Sequence, residues 1–256
     1  MAKSWIACAL AVPALFAQGP PGGPPQPPRS PKDAAPVDIT GYWVSIVTED
    51  WRFRMVMPPK GDYSSVPLTP EGRKVADTWD PAKDEAAGNQ CKSYGAAGLM
   101  RQPGRLHLTW DNDDTLKLET DAGTQTRMMH FGGKAPEAAD QGWQGYSTAQ
   151  WELAPIPAGA GRGQAGPSPQ QRGGSLKVVT TKMRPGYLRK NGVPYSGNAT
   201  LTEYYSRTME PNGDTWLIDT SVVEDSQYLN QPFITSTHFR KQADAAGWSP
   251  APCSSR

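Results

Sequence analysis

The feature that most constrains this chain is a side-chain period of two, repeated in ten short segments separated by turn formers. The segments are "ITGYWVSIV" (39–47), "WRFRMVM" (51–57), "RLHLTW" (105–110), "TLKLET" (115–120), "TQTRMMHF" (124–131), "YSTAQWEL" (146–153), "SLKVVTT" (175–181), "ATLTEYYSRT" (199–208), "TWLIDTSVV" (215–223) and "FITSTHFR" (233–240). Successive side chains of a strand point to opposite faces, so alternation lets one face pack while the other meets water. "DNDD" (111–114), "DAG" (121–123) and "PNGD" (211–214) supply tight turns, which join antiparallel neighbours. The expectation is an all-β fold in which an antiparallel sheet of about eight to ten strands closes into a barrel or folds into a sandwich. One short helix is expected at "LTPEGRKVADTW" (68–79), where Thr69 caps, Pro70 fits the first turn and Glu71 sits near the positive end.

Parity assigns faces. Arg105, His107 and Thr109 share one side of their strand, and Leu106, Leu108 and Trp110 the other; Leu116 and Leu118 likewise oppose Lys117 and Glu119. A core built on the leucines leaves His107 facing solvent. Around His130 and His238 neither face is cleanly apolar. A barrel with a polar interior would instead draw His107, His130 and His238 inward, where three imidazoles hold a transition metal such as zinc and leave a position for water. Both readings stand at this level.

Other side chains carry candidate chemistry. Trp43, Trp110, Trp151 and Trp216 fall on expected strands and would suit a chamber for an apolar or aromatic ligand. Glu152, Glu203 and Tyr205 lie in apolar or aromatic strands, where a carboxyl with a raised pKa serves as acid or base. The alternative is a half-exposed strand on which Glu203 and Arg207 pair. "DNDD" lacks the downstream Gly and Glu of a calcium loop, and "NAT" (198–200) reads as a turn. No Gly-x-Ser-x-Gly elbow and no phosphate-binding Gly loop between strand and helix occurs.

The ends speak to compartment. Lys3, an apolar run from Trp5 to Phe16 and small residues around Ala17 read as a signal peptide over 1–17, the run being shorter than the ~20 residues that span a bilayer. A Pro/Gly-rich disordered linker (18–36) follows, then a single barrel domain (37–256) with a flexible low-complexity loop at 154–174. The mature chain then keeps Cys91 and Cys253 in a periplasmic or secreted setting where disulfides persist, and a bridge is expected over two buried thiols. A net charge of +1 spread along the chain offers no footprint for nucleic acid or an anionic membrane.

"GYW" (Gly41 to Trp43) at the start of the first strand resembles the Gly-x-Trp signature of lipocalins, in which the Trp closes the bottom of a small barrel. "GYSTAQWE", "LTEYYSR", "VVED" and "QPFITSTHF" are similar to a family of exported bacterial β-proteins without an assigned function. The resemblance implies a lipocalin-like barrel and export, and no catalytic residue. Two functions follow as expectations: a binding module for a small hydrophobic or aromatic molecule, or a barrel enzyme acting on one, either through metal held by the three histidines or through buried Glu and Tyr.

Overall fold

The computed structural model describes residues 29–133, 135–137, 142–153 and 173–255. The expected signal peptide, most of the linker and nearly all of the 154–174 loop lie outside them. Nine strands close a barrel: β1 (Gly41–Ile46), β2 (Arg105–Asn112), β3 (Thr115–Thr120), β4 (Thr126–Phe131), β5 (Tyr146–Leu153), β6 (Gly174–Thr181), β7 (Thr200–Met209), β8 (Thr215–Glu224) and β9 (Phe233–Lys241). Each strand pairs with its neighbours in sequence, and β1 closes the ring against both β2 (Trp43 opposite Leu106) and β9 (Trp43 opposite Lys241). Strands that alternate direction cannot close a ring of odd number, so one pair must run parallel. That pair is β4 and β5, Met129 opposite Ser147, and the barrel is mixed where a wholly antiparallel one was expected.

Nine of the ten alternating segments are barrel strands. The exception is "WRFRMVM": Trp51–Arg54 forms a single helical turn, with Arg54 buried and Trp51, Met55 and Val56 at least 60% exposed. More helix is present than the one segment expected. α1 (Pro70–Asp77) starts as read, with the Thr69 side chain accepting from the Gly72 amide at 2.9 Å. α2 (Pro81–Ala86) repeats the device with Asp80 accepting from Ala82 and Lys83. Capping of this kind satisfies amides that the helix leaves unpaired.

Two apolar clusters fill the molecule. Within the barrel, Leu106, Leu108, Leu116, Leu118, Leu176 and Phe239 are at most 3% exposed, so the leucine face is the core face. At the far end of β1 the 47–104 excursion and a hairpin (Gly186–Arg189 with Val193–Tyr195) bring Tyr63, Leu68 and Tyr195 onto Met183, Leu201, Val223 and Phe233. At the opposite end residues 31–40 cross the mouth: Pro31 accepts from Trp151 Nε1 at 2.8 Å and Lys32 pairs with Asp113 at 3.6 Å. Trp43 is fully buried there, its Nε1 donating to Ile39 and Lys241 Nζ 4.6 Å over its ring.

A disulfide joins Cys91, in the excursion, to Cys253 in the tail. The tail also lays Ala251 and Pro252 alongside Ala122 and Gly123. Among the described residues no helix is long and apolar enough to cross a membrane.

Candidate functional site

The candidate acid–base residues separate. Glu152 is on the outer face of β5, 3.7 Å from Lys177. Glu203 and Tyr205 point into the barrel and are wholly buried. Arg127, inward on β4, donates to both Glu203 oxygens (2.9 and 2.6 Å) and to Thr180 (3.1 Å), while Tyr205 donates to Glu203 at 2.9 Å. Glu203 thus pairs across the barrel with Arg127, and Arg207 donates instead to the Asp38 carbonyl. Burial would lower the Arg127 pKa, but Glu203 beside it pushes it up; burial and then Glu203 push Tyr205 up. The guanidinium and carboxylate form an ion pair inside the closed barrel, with both Nη atoms of Arg127 engaged and its Nε without a hydrogen-bond partner.

Asp219, opposite Thr237 on the neighbouring strand, is also fully buried and accepts from Ser221 at 2.8 Å. Burial, then the Glu203 charge, raise its pKa well above the ordinary 3.8. The folded state therefore holds a proton that the unfolded chain releases. Stability contributed by this proton is complete below the ordinary carboxylate range and falls as pH rises, by at most about 1.4 kcal/mol per pH unit for one proton. Asp219→Asn mimics the protonated carboxyl without being able to ionise. The variant is expected to gain melting temperature over the parent as pH rises from 5 to 8, measured by paired thermal unfolding at each pH; a difference independent of pH would contradict a protonated Asp219.

The three histidines all lie on the outer face, and the structure does not bring them together. His107 stacks on Tyr42 (ring centroids 4.0 Å) and sits 3.3 Å from Glu119. His130 stacks on Tyr146 and contacts Thr115. His238 lies between Glu49 and Ser236. Their partners are different in each case, and among the described residues no group of three His, Cys, Asp or Glu side chains is arranged to hold a metal ion. The reason is parity: each alternates with an inward residue, Leu106, Arg127 or Met129, and Thr237 or Phe239.

The tryptophans are divided three ways rather than lining one chamber. Trp43 packs in the core; Trp216 is on the outer face near His238 (5.9 Å). Trp110 and Trp151 meet Phe131 at the barrel mouth (5.4 and 5.5 Å), where they and the 32–40 segment bound a cavity of about 280 Å³.

A different cluster stands out at the opposite end. Arg54, Arg101 and Arg189, 8, 6 and 2% exposed, line one cavity of about 240 Å³ with Phe53, Tyr94 and Leu188. Each arrives from a separate element: the helical turn after β1, the residues following the short helix Ala96–Leu99, and the hairpin whose Asn191-Gly192 tip takes the left-handed glycine (φ 85°) such turns require. Asn191 ties the tip to the Pro59 and Asp62 carbonyls. Asp50, itself left-handed (φ 48°), holds Arg101 at 3.1 Å, and Glu49 holds Arg54.

These carboxylates leave the cluster positive. Arg189 forms no ion pair among the described residues; one nitrogen donates to the Ser64 carbonyl at 2.6 Å and the guanidinium lies 4.1 Å over Phe53. Burial, then Arg101, lower its pKa to about 10; burial also lowers Arg54 and Arg101. Four buried donor atoms, Nη2 of Arg54, Nη1 of Arg101, and Nε and Nη2 of Arg189, have no hydrogen-bond partner. An unsatisfied buried donor is costly, more so when charged, and an arginine fork is matched to a carboxylate or phosphate. Chemically, three such guanidiniums beside an aromatic wall are suited to holding an oxyanion.

Parity reasoning missed this site because its residues are far apart in sequence and its first segment alternates like a strand. The local signals were the acid pair Glu49 and Asp50 before "WRFR", and Asn-Gly in "LRKNGV". Comparison with known families, curated proteins and solved structures finds no significant match, so the function rests on the geometry.

Proposed function

We propose that this chain is a lipocalin-like binding module that works outside the cytosol and takes a small molecule bearing an oxyanion on an apolar or aromatic body. The observation that carries the reading is Arg189: almost fully buried, without an ion pair among the described residues, with two N–H groups that have no hydrogen-bond partner, and lining one cavity together with two further arginines. Phe53, Tyr94 and Leu188 supply the apolar contact expected of a ligand pocket. The Cys91–Cys253 bridge supports an oxidising compartment, and the closed barrel with a buried Trp43 beside Gly41 supports the lipocalin likeness.

Calorimetric titration with phosphate, acetate and benzoate tests it. Binding is expected for at least one of them, tightest where an aromatic body accompanies the anion. Arg189→Gln is expected to weaken it about tenfold to hundredfold, the worth of one charge-assisted hydrogen bond of roughly 1.5–3 kcal/mol. Absence of binding by all three, in protein that melts cooperatively, would overturn the proposal.

A further inference from the structure

The arginine cavity does not end at its aromatic wall. Met55 and Pro103 line it and also line a shallower, more open depression of about 510 Å³, whose other walls include Val44 and Val47. Around this junction the surface is unusually apolar: Trp51, Met55, Val56 and Met57 are 63, 60, 61 and 41% exposed, four of the seven large hydrophobic side chains that are exposed among the described residues. Exposed apolar residues gathered in one patch beside a pocket mark a binding surface. Here a buried cationic site shares two of its walls, Met55 and Pro103, with a largely apolar groove.

Resting on the reading of the arginines as an oxyanion receptor, we infer that the ligand is a single-chain amphiphile, its oxyanion head on Arg54, Arg101 and Arg189 and its alkyl chain in the groove along Met55, Pro103, Val44 and Val47. Charge complementarity fixes which end goes where. The three guanidiniums favour the anionic head, and Val44, Val47, Met55 and Pro103 offer a chain hydrocarbon and thioether side chains, with Ser45, Gly104 and Arg105 completing the groove lining. Methionine adapts to chains of different length, so selectivity falls on the head and tolerance on the tail. The departure of 51–57 from strand pairing serves this arrangement: a strand would place Arg52 and Arg54 on one face, whereas the helical turn buries Arg54 and presents Met55 to the groove.

Calorimetric titration of the folded, disulfide-bonded protein with butyrate, hexanoate, octanoate and decanoate, and with the matching monoalkyl phosphates, tests the inference. The dissociation constant is expected to fall about twofold to fourfold per added methylene in at least one series, as partial to full burial of a CH₂ gives. Decylammonium, with the same tail and the opposite charge, is expected not to compete. The double variant Val44→Thr, Val47→Ser is expected to flatten the chain-length dependence, with its circular dichroism and melting curve checked against the parent. If short anions bind and lengthening the chain changes nothing, the receptor reading stands and the amphiphile is wrong. If decylammonium competes as well as decanoate, or if only vesicles of anionic phospholipid bind, the inference also fails. If no anion of any length binds, both readings fall together.

Discussion

Glu203→Ala is expected to destabilise the protein by about 3–5 kcal/mol, because it leaves the Arg127 guanidinium buried without its counter-ion. Both side chains of this pair are wholly inside the barrel, the carboxylate takes both Nη atoms of the guanidinium, and Tyr205 loses its acceptor in the same substitution. Urea unfolding at fixed pH measures the loss. The variant also has a pH signature. Glu203 is one of the causes that keep the Asp219 carboxyl protonated, so its removal lets Asp219 ionise and compensate Arg127, and the deficit is expected to shrink as pH rises. Replacing both partners with apolar residues, Arg127→Met with Glu203→Leu, should recover most of the stability, since a buried pair exchanged for packed hydrocarbon is often neutral or stabilising. A deficit below 1 kcal/mol in Glu203→Ala would mean that water reaches Arg127, and the barrel interior would not be closed.

The same polar layer explains what the sequence left ambiguous. The strands bearing His130 and His238 showed no clean apolar face because their inward residues include Arg127 and Thr237, both at most 1% exposed. A face that mixes Arg127 with Met129, or Thr237 with Phe239, reads as half-exposed even when it is all core. Where the interior is hydrocarbon, as at Leu106, Leu108, Leu116 and Leu118, parity read directly as structure. Strand count was also legible, but not the parallel pair, since the relative direction of β4 and β5 is set by the connection between them and not by either strand's own pattern. The segment 51–57 failed for a further reason: its alternation satisfies the local rule for a strand while Arg54 is held by Glu49 and the Arg101 carbonyl and Arg52 by Asp62. Such conflicts between local pattern and tertiary demand collect at sites of function. Arg54, Arg101 and Arg189 meet only in the tertiary fold, and no short window of sequence contains them.

Reducing the Cys91–Cys253 bridge is expected to have the largest effect of any single change. The two cysteines are 162 residues apart, and in the chain-entropy model closing a loop of that length restricts the unfolded chain by about 5 kcal/mol. The bridge also has a local effect in the folded state. It fixes the tail, whose Ala251 and Pro252 pair with Ala122 and Gly123, and it fixes the start of the turn Lys92–Tyr94. Tyr94 and Ala122 both line the arginine cavity, so the disulfide holds two parts of the candidate site. Cys91→Ser with Cys253→Ser is therefore expected to unfold at a lower urea concentration and to bind anions more weakly. The two losses have different origins: unfolded-state entropy acts on global stability alone, whereas release of the tail acts on the cavity even well below the unfolding transition. Calorimetric titration at low temperature, where the variant is still folded, separates them. Free-thiol titration of the unfolded, unreduced parent gives the prior check. Two reactive thiols per chain would remove the basis for both effects, and unchanged anion binding in the folded variant would confine the bridge to stability.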